Sequence, residues 1–288
     1  GSFRGRDVTI QDVFEAVGAH AAGRITDADL REMEDVACPG AGACGGQFTA
    51  NTMACVSEAI GLALLNSSGM PAPYESRDAY AAASGEAVMN LIEKNIRARD
   101  ICTREAFENA ARIVACTGGS TNAGLHLPAM AAEAGIDFNL SDVCDIFRDT
   151  PYFVDMKPGG SHVAKDLYDA GGVPVVMKEL RKAGLLHDDC LTASGLSIGE
   201  ELDKIEREAD GKVIHAIEVA TQRPYVVHVG AGALALVAAP LAPAGRALAA
   251  PTAMHVMKDP GCSCCGAWVE IMQDAGFDVT VEEIANAP

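Results

Sequence analysis

Acidic residues run through the chain as far as Glu218, and then none occurs before Asp259. Inside that acid-free window, residues 225–242 (YVVHVGAGALALVAAPLA) form a continuous apolar run. A change this abrupt in charge and hydropathy is hard to reconcile with one uniform core, so the sequence divides near residue 218 into two unlike pieces. The apolar run follows Arg223 and precedes Ala247-Leu248-Ala249, a basic start and small-x-small end that match a secretory signal. Such signals act at an N-terminus, and here a long segment comes first. A buried strand or helix, or an apolar linker, is the alternative. Gly230, Gly232 and Pro240 interrupt the run, so no stable membrane span is expected.

The formal charge of −18 argues against nucleic acid as a partner, because a phosphate backbone needs a cationic face. A chain of 288 residues is long enough for one or two domains. It starts with Gly1 rather than Met, and the expectation is that it is a piece of something longer.

Up to residue 217 the pattern is mostly helical. Thr9 and Thr26 each precede a run with an acid placed to complete a capping box. Apolar periodicity predicts helices over 51–65, 77–96, 104–115, 123–134, 141–147, 163–170 and 175–183. Gly135, Gly171 and Gly184 are placed to end three of them. Residues 152–156 are the best strand candidate. The expected class is helix-rich α/β, as a portion of a larger architecture.

Two motifs carry the chemistry of this part. In the first, small residues surround Cys44 (PGAGACGG) ahead of a helix, so its backbone can approach a ligand closely. A thiol at a helix N-terminus favours the thiolate that binds metal or attacks carbon. Cys38 and Cys55 do not stand at a chelating spacing from it, and small buried apolar thiols are the alternative for all three. In the second, Thr117-Gly118-Gly119-Ser120-Thr121-Asn122 opens another helix. Its amides and side chains suit a carboxylate or phosphate, or else form an ordinary capped turn. Cys102, Cys116, Cys144 and Cys190 sit in apolar or helical surroundings and read as buried.

Residues 38–53 (CPGAGACGGQFTANTM) and 117–134 (TGGSTNAGLHLPAMAAEA) resemble the dihydroxy-acid and sugar-acid dehydratases. Within that family the wording is most similar to the bacterial dihydroxy-acid dehydratases of branched-chain amino-acid synthesis. Residues 3–23, 74–78, 157–172 and 173–186 follow the same family in order, and the likeness covers about 1–217. It implies part of the family's N-terminal α/β domain and a cytoplasmic hydro-lyase. That enzyme converts a small 2,3-dihydroxy acid to a 2-oxo acid, using an iron–sulfur cluster (2Fe–2S or 4Fe–4S) and Mg²⁺. By the same resemblance Cys44 matches the third of three cluster cysteines, and Gly119, Ser120, Thr121 and Asn122 are candidates for the substrate end of the site. The family's other two cluster cysteines, its Mg²⁺ ligands and the serine proposed as base belong to sequence not found in these 288 residues. The expectation is therefore that this chain alone is inactive. A family-type homodimer is implied only where those further parts are present.

The tail reads differently. Strands are expected at 254–257 and 277–281, with a helix over 266–275 between them. Cys262, Cys264 and Cys265 lie within four residues at the turn into that helix, where they can converge on a soft ion such as Cu(I) or Zn²⁺. Cys262 and Cys265 also form a Cys-x-x-Cys pair suited to redox exchange. Residues 256–282 resemble a family of small periplasmic Cys-x-Cys-Cys proteins with a thioredoxin-like fold, which implies a partial βαβ unit and copper handling. The expected divisions are a partial dehydratase domain (1–217), an apolar signal-like linker (218–253) and a partial metal-binding domain (254–288). The alternative function is a copper-binding or thiol-redox module of the bacterial envelope, for which the tail alone suggests the periplasm. A joined reading frame is the expected explanation for both likenesses in one chain.

Overall fold

The computed structural model describes residues 1–42 and 44–220, and in the tail 226–228, 234–236, 253–258, 269, 273 and 278–283. A short hairpin, β1 (Ser2–Phe3) and β2 (Arg6–Asp7), leads into α1 (Ile10–Ala21) and α2 (Asp27–Ala37). Both helices start at the expected threonines: Thr9 with Asp12, and Thr26 with Asp29, form complete capping boxes. Their facing sides enclose a small core of Val8, Val13, Ala16, Met33 and Ala37.

The larger core is built on α3 (Thr49–Ile60) and α6 (Arg104–Cys116), with α4 (Arg77–Glu93) and α5 (Ala98–Ile101) between them in sequence. The buried side of α6 is rich in alanine (Ala106, Ala110, Ala111), which lets neighbouring backbones approach, while Phe107, Ile113 and Val114 fill the space beside them. Around this pair stand α7 (Ala123–Ala134), α8 (Leu140–Asp149), α9 (Ala164–Asp169), α10 (Gly172–Lys182), α11 (Ile198–Leu202) and α12 (Ile217–Ala220). Asn109, fully buried on α6, satisfies both polar ends on one backbone: its Nδ2 donates to the His187 carbonyl at 2.8 Å, and its Oδ1 accepts the His187 amide at 2.9 Å. Glu179 on α10 is also buried, pairing with Lys182 at 2.6 Å and accepting the Ile217 amide at 3.1 Å. The main core thus extends to Ile217.

Three details differ from the sequence pattern. Helix α3 stops at Gly61 in the left-handed conformation (φ +93°) rather than running to residue 65. A Cβ there would lie 2.6 Å from the Leu191 carbonyl, so glycine also permits a close backbone approach. Residues 152–156 are buried and extended but make only isolated bridges, Val154 with Ile214 and Met156 with His162, in place of the expected strand. Helix α10 begins at Gly172, earlier than the expected residue 175, because proline is tolerated in a first helical turn.

In the tail, β3 (Val226–His228), β4 (Leu234–Leu236), β5 (Ala253–Lys258) and β6 (Asp278–Glu283) form one sheet in that order. The β3–β4 and β4–β5 pairs are antiparallel, and β5–β6 is parallel. The strands expected near 254–257 and 277–281 are therefore present, and parallel pairing requires a crossover between them. Of the helix expected there, only Val269 and Gln273 are among the described residues, both helical. Part of the apolar run is paired as β3 and β4, with β-branched Val226 and Val227 in the first. No helix among the described residues is long and apolar enough to cross a membrane.

Candidate functional site

Cys44 stands half-buried in the loop ahead of α3, its thiol donating to the Gly46 carbonyl at 3.2 Å. Backbone contacts from far along the chain fix that loop. The Gln47 amide donates to the Lys157 carbonyl at 2.6 Å, and the Ala164 amide donates to the Gly45 carbonyl at 2.9 Å. Gly46 is required at this junction, since a Cβ on it would lie 2.9 Å from the Lys157 carbonyl. Lys157 is held in turn by Asp12, with Nζ 3.0 Å from Oδ2 and both side chains largely buried. Asp12 thereby caps α1 and anchors the strap behind the Cys44 loop. Burial raises its pKa, but the Thr9 amide and Lys157 outweigh that, so the carboxyl lies below its ordinary value.

A cavity of about 530 Å³ opens beside the thiol, lined by Cys44, the first turn of α3 (Ala50, Asn51), Ser68, Met70 and Arg77. This volume is in the range of small-molecule sites. The stretch of the lining around Ser68–Met70 is organised by Glu58, which is fully buried on α3. Its carboxylate oxygens accept the Asn66 amide (2.8 Å), the Ser68 amide (3.1 Å) and hydroxyl (2.6 Å), and the Gly69 amide (3.1 Å). Burial raises the Glu58 pKa by more than these donors lower it.

The second motif meets the first through the start of α3. Gln47 Nε2 donates to Thr117 Oγ1 at 2.8 Å, and Asn51 Nδ2 donates to Gln47 Oε1 at 2.6 Å. The Ser120 amide donates to Thr52 Oγ1 at 3.0 Å, and Asn122 Nδ2 to Thr49 Oγ1 at 2.6 Å. Gly119 packs on Thr52 and Val114, each within 3.0 Å of where its Cβ would stand. The Asn122, Ala123, Gly124 and Leu125 amides are all engaged within the turn. This segment is therefore a satisfied turn that braces α3. Gly119, Ser120, Thr121 and Asn122 lie outside the lining of the Cys44 cavity.

The other cysteines divide by burial. Cys38 is exposed; Cys116, Cys144 and Cys190 are buried as the sequence suggested, Cys55 is buried too, and Cys102, expected to be buried, is only half-buried beside the short α5. Burial, then the neighbouring Glu58, pushes the Cys55 thiol up to about 12. Cys116 is driven well above its ordinary value by burial. Cys262, Cys264 and Cys265 lie outside the described residues.

The sequence pattern gave no prominence to Glu58, Arg77 or the Asp12–Lys157 pair. Glu58 had one available signal, an acid set among Cys55, Val56, Ala59 and Ile60 on a helix with an apolar surround.

This combination of a helix-rich domain and a cysteine loop strapped over a cavity has a counterpart among known sequences. The family of dihydroxy-acid/6-phosphogluconate dehydratase N-terminal domains matches residues 1–201, and the chain belongs to that family. Its similar relatives include the dihydroxy-acid dehydratase of Dinoroseobacter shibae, 75% identical over 218 residues that make up 76% of this chain and 38% of the relative. The dihydroxy-acid dehydratase of Parvibaculum lavamentivorans is 63% identical over 217 residues, 75% of this chain and 38% of that protein. The one of Haloarcula marismortui is 52% identical over 206 residues, 72% and 36% respectively. The chain thus spans less than two fifths of the length of these relatives.

Proposed function

We propose that residues 1–217 serve in a cytoplasmic hydro-lyase that removes water from a small 2,3-dihydroxy acid to give a 2-oxo acid, in branched-chain amino-acid synthesis. The observation that carries this reading is the family match over 1–201 together with the Cys44 thiol at the edge of a cavity of substrate size. When bound, an iron–sulfur cluster and Mg²⁺ would supply Lewis-acid chemistry to such a reaction, and Cys44 is the residue here that would help to hold the cluster.

The described residues do not by themselves hold either group. Cys44 is the one cysteine on the cavity lining, and no three His, Cys, Asp or Glu converge among the described residues. A cluster needs more thiolates than this, so Cys44 is proposed as one ligand among several, the others coming from elsewhere in the working enzyme. What this chain's own residues supply is placement. The strap through Lys157 and Ala164 holds the Cys44 loop, Glu58 holds the Ser68–Met70 part of the lining, and the Gly119–Asn122 turn fixes the start of α3 as indirect support for the substrate end.

Replacing the matching span of the Dinoroseobacter shibae enzyme with residues 1–217 tests the reading. The chimaera is expected to form 2-oxo acid, and Cys44→Ser in it to abolish both turnover and the cluster's visible absorption. An inactive chimaera that still assembles the cluster would refute the assignment. The 288-residue chain alone is expected to purify colourless and without iron. For the tail, a separate Cu(I) site at Cys262, Cys264 and Cys265 rests on their spacing and on the resemblance of residues 256–282 to the Cys-x-Cys-Cys proteins. Titration of the chain and of a triple Cys→Ser variant with Cu(I) decides it.

A further inference from the structure

We propose that Arg77 is a carboxylate-binding residue of the Cys44 cavity. Its place is set by two linked features. Arg77 is the first residue of α4, and its Nη1 donates to the Met70 carbonyl at 2.8 Å. Met70 is itself buried, at the end of the loop that Glu58 holds through four hydrogen bonds. One edge of the guanidinium is thus docked on a fixed carbonyl, and Arg77 is among the residues that line the cavity.

The charges around it leave Arg77 as the available cation. Lys165 also lines the cavity but is committed to Asp169 at 2.8 Å, with Asp166 at 3.8 Å. The Gly1 nitrogen donates to the Val8 carbonyl at 3.0 Å. Among the described residues no carboxylate pairs with Arg77; Asp7 is the one acid on the lining. A guanidinium presents several N–H donors in a planar fork that matches a carboxylate. The first turn of α3, on the same lining, adds the positive end of a helix dipole. The ligand class is a small organic acid, and the inference rests on the reading that the cavity takes a dihydroxy acid.

The Cys44 thiol is a built-in reporter. The 288-residue chain is alkylated with iodoacetate and, separately, with neutral iodoacetamide. Rates at Cys44 and at exposed Cys38 are then read by peptide mass spectrometry. Expected is an iodoacetate-to-iodoacetamide rate ratio at Cys44 about fivefold above that at Cys38, the size a solvent-accessible guanidinium–carboxylate pair allows. Arg77→Gln brings the ratio down to the Cys38 value, and Arg77→Lys keeps part of it. Glycerate, a three-carbon 2,3-dihydroxy acid, slows carboxymethylation of Cys44 in the wild type and not in Arg77→Gln. Equal ratios at the two cysteines in the wild type overturn the proposal, as does a ratio that Arg77→Gln leaves unchanged in a folded chain. If Arg77→Gln does not fold by circular dichroism, the wild-type ratio with glycerate protection and the Arg77→Lys value decide in the same two directions. The readout needs neither cluster nor turnover. Its failure therefore leaves the hydro-lyase reading standing, and an inactive chimaera leaves this result intact.

Discussion

Glu58 offers the sharpest test of how the cavity wall is built. Its oxygens divide the donors unequally: Oε2 takes the Asn66 amide, and Oε1 takes the Ser68 amide, the Ser68 hydroxyl and the Gly69 amide. Glu58→Gln keeps the shape but has a single acceptor oxygen. Placed at the Oε1 position, that oxygen satisfies three donors, and the new NH₂ then faces the Asn66 amide. Two donors are left without acceptors, at about 1–3 kcal/mol each, so the expected loss of stability is about 2–6 kcal/mol. Glu58→Ala strands all four donors and is expected to cost more than the glutamine variant. Equilibrium urea unfolding reads both. With a slope of about 2 kcal/mol per molar, the glutamine variant shifts the midpoint down by about 1–3 M without changing the slope. A glutamine variant within about 0.5 kcal/mol of wild type, or one costlier than alanine, would show that the loop over 66–69 does not depend on this carboxylate.

Three further outcomes are expected. Asp12→Asn loses the Lys157 ion pair and weakens the α1 cap, costing about 1–3 kcal/mol by denaturant melt. Because the folded pKa of Asp12 lies below its ordinary value, its contribution is present above the unfolded carboxylate pKa and lost as pH falls through the folded value. The wild-type advantage over Asp12→Asn therefore shrinks in acid, and an advantage that grows instead contradicts the assignment. Gly119→Ala places a methyl within 3.0 Å of Thr52 and Val114, so overpacking of about 1–3 kcal/mol is expected as a lowered Tm; an unchanged Tm refutes the close packing. Under native conditions iodoacetamide should label Cys38 and Cys44 while sparing Cys55 and Cys116, whose thiols are buried and shifted upward. Equal labelling of all four would mean that α3 and α6 are not packed as described.

The helices were legible where their ends carry local chemistry. Thr9 and Thr26 accept amides at their helix starts, and Gly135 takes the left-handed cap, as read, whereas the short α11 that Ser197 caps was not anticipated. The end of α3 was missed because residues 62–65 stay apolar beyond Gly61, and periodicity alone does not register a backbone reversal. Residues 152–156 have strand-like composition, but whether they join a ladder depends on partners distant in sequence. At the site, Cys44 was visible through its small neighbours and its wording. The clamp on it was not, since the contacts from Lys157 and Gly45 are made by main-chain atoms that leave no mark on side-chain pattern. Glu58 resembles any helical acid until its burial is known. The turn at 117–122 was recognised as chemically unusual, yet its amides serve internal packing, an outcome that free-ligand and capped-turn readings share in sequence.

The strap across the Cys44 loop has a consequence for the order of events during synthesis. Its ties join residues more than a hundred positions apart, Gln47 to Lys157 and Gly45 to Ala164. Closing so long a loop carries an entropic cost that local helix formation does not, so such contacts come late. On the ribosome, α1 to α3 can form while the thiol's final neighbours have not yet been made. During that interval Cys44 stands in a glycine-rich segment open to oxidants and to adventitious metals. A cell that loads a metal cofactor at this thiol would gain by doing so after residue 164 has emerged and docked.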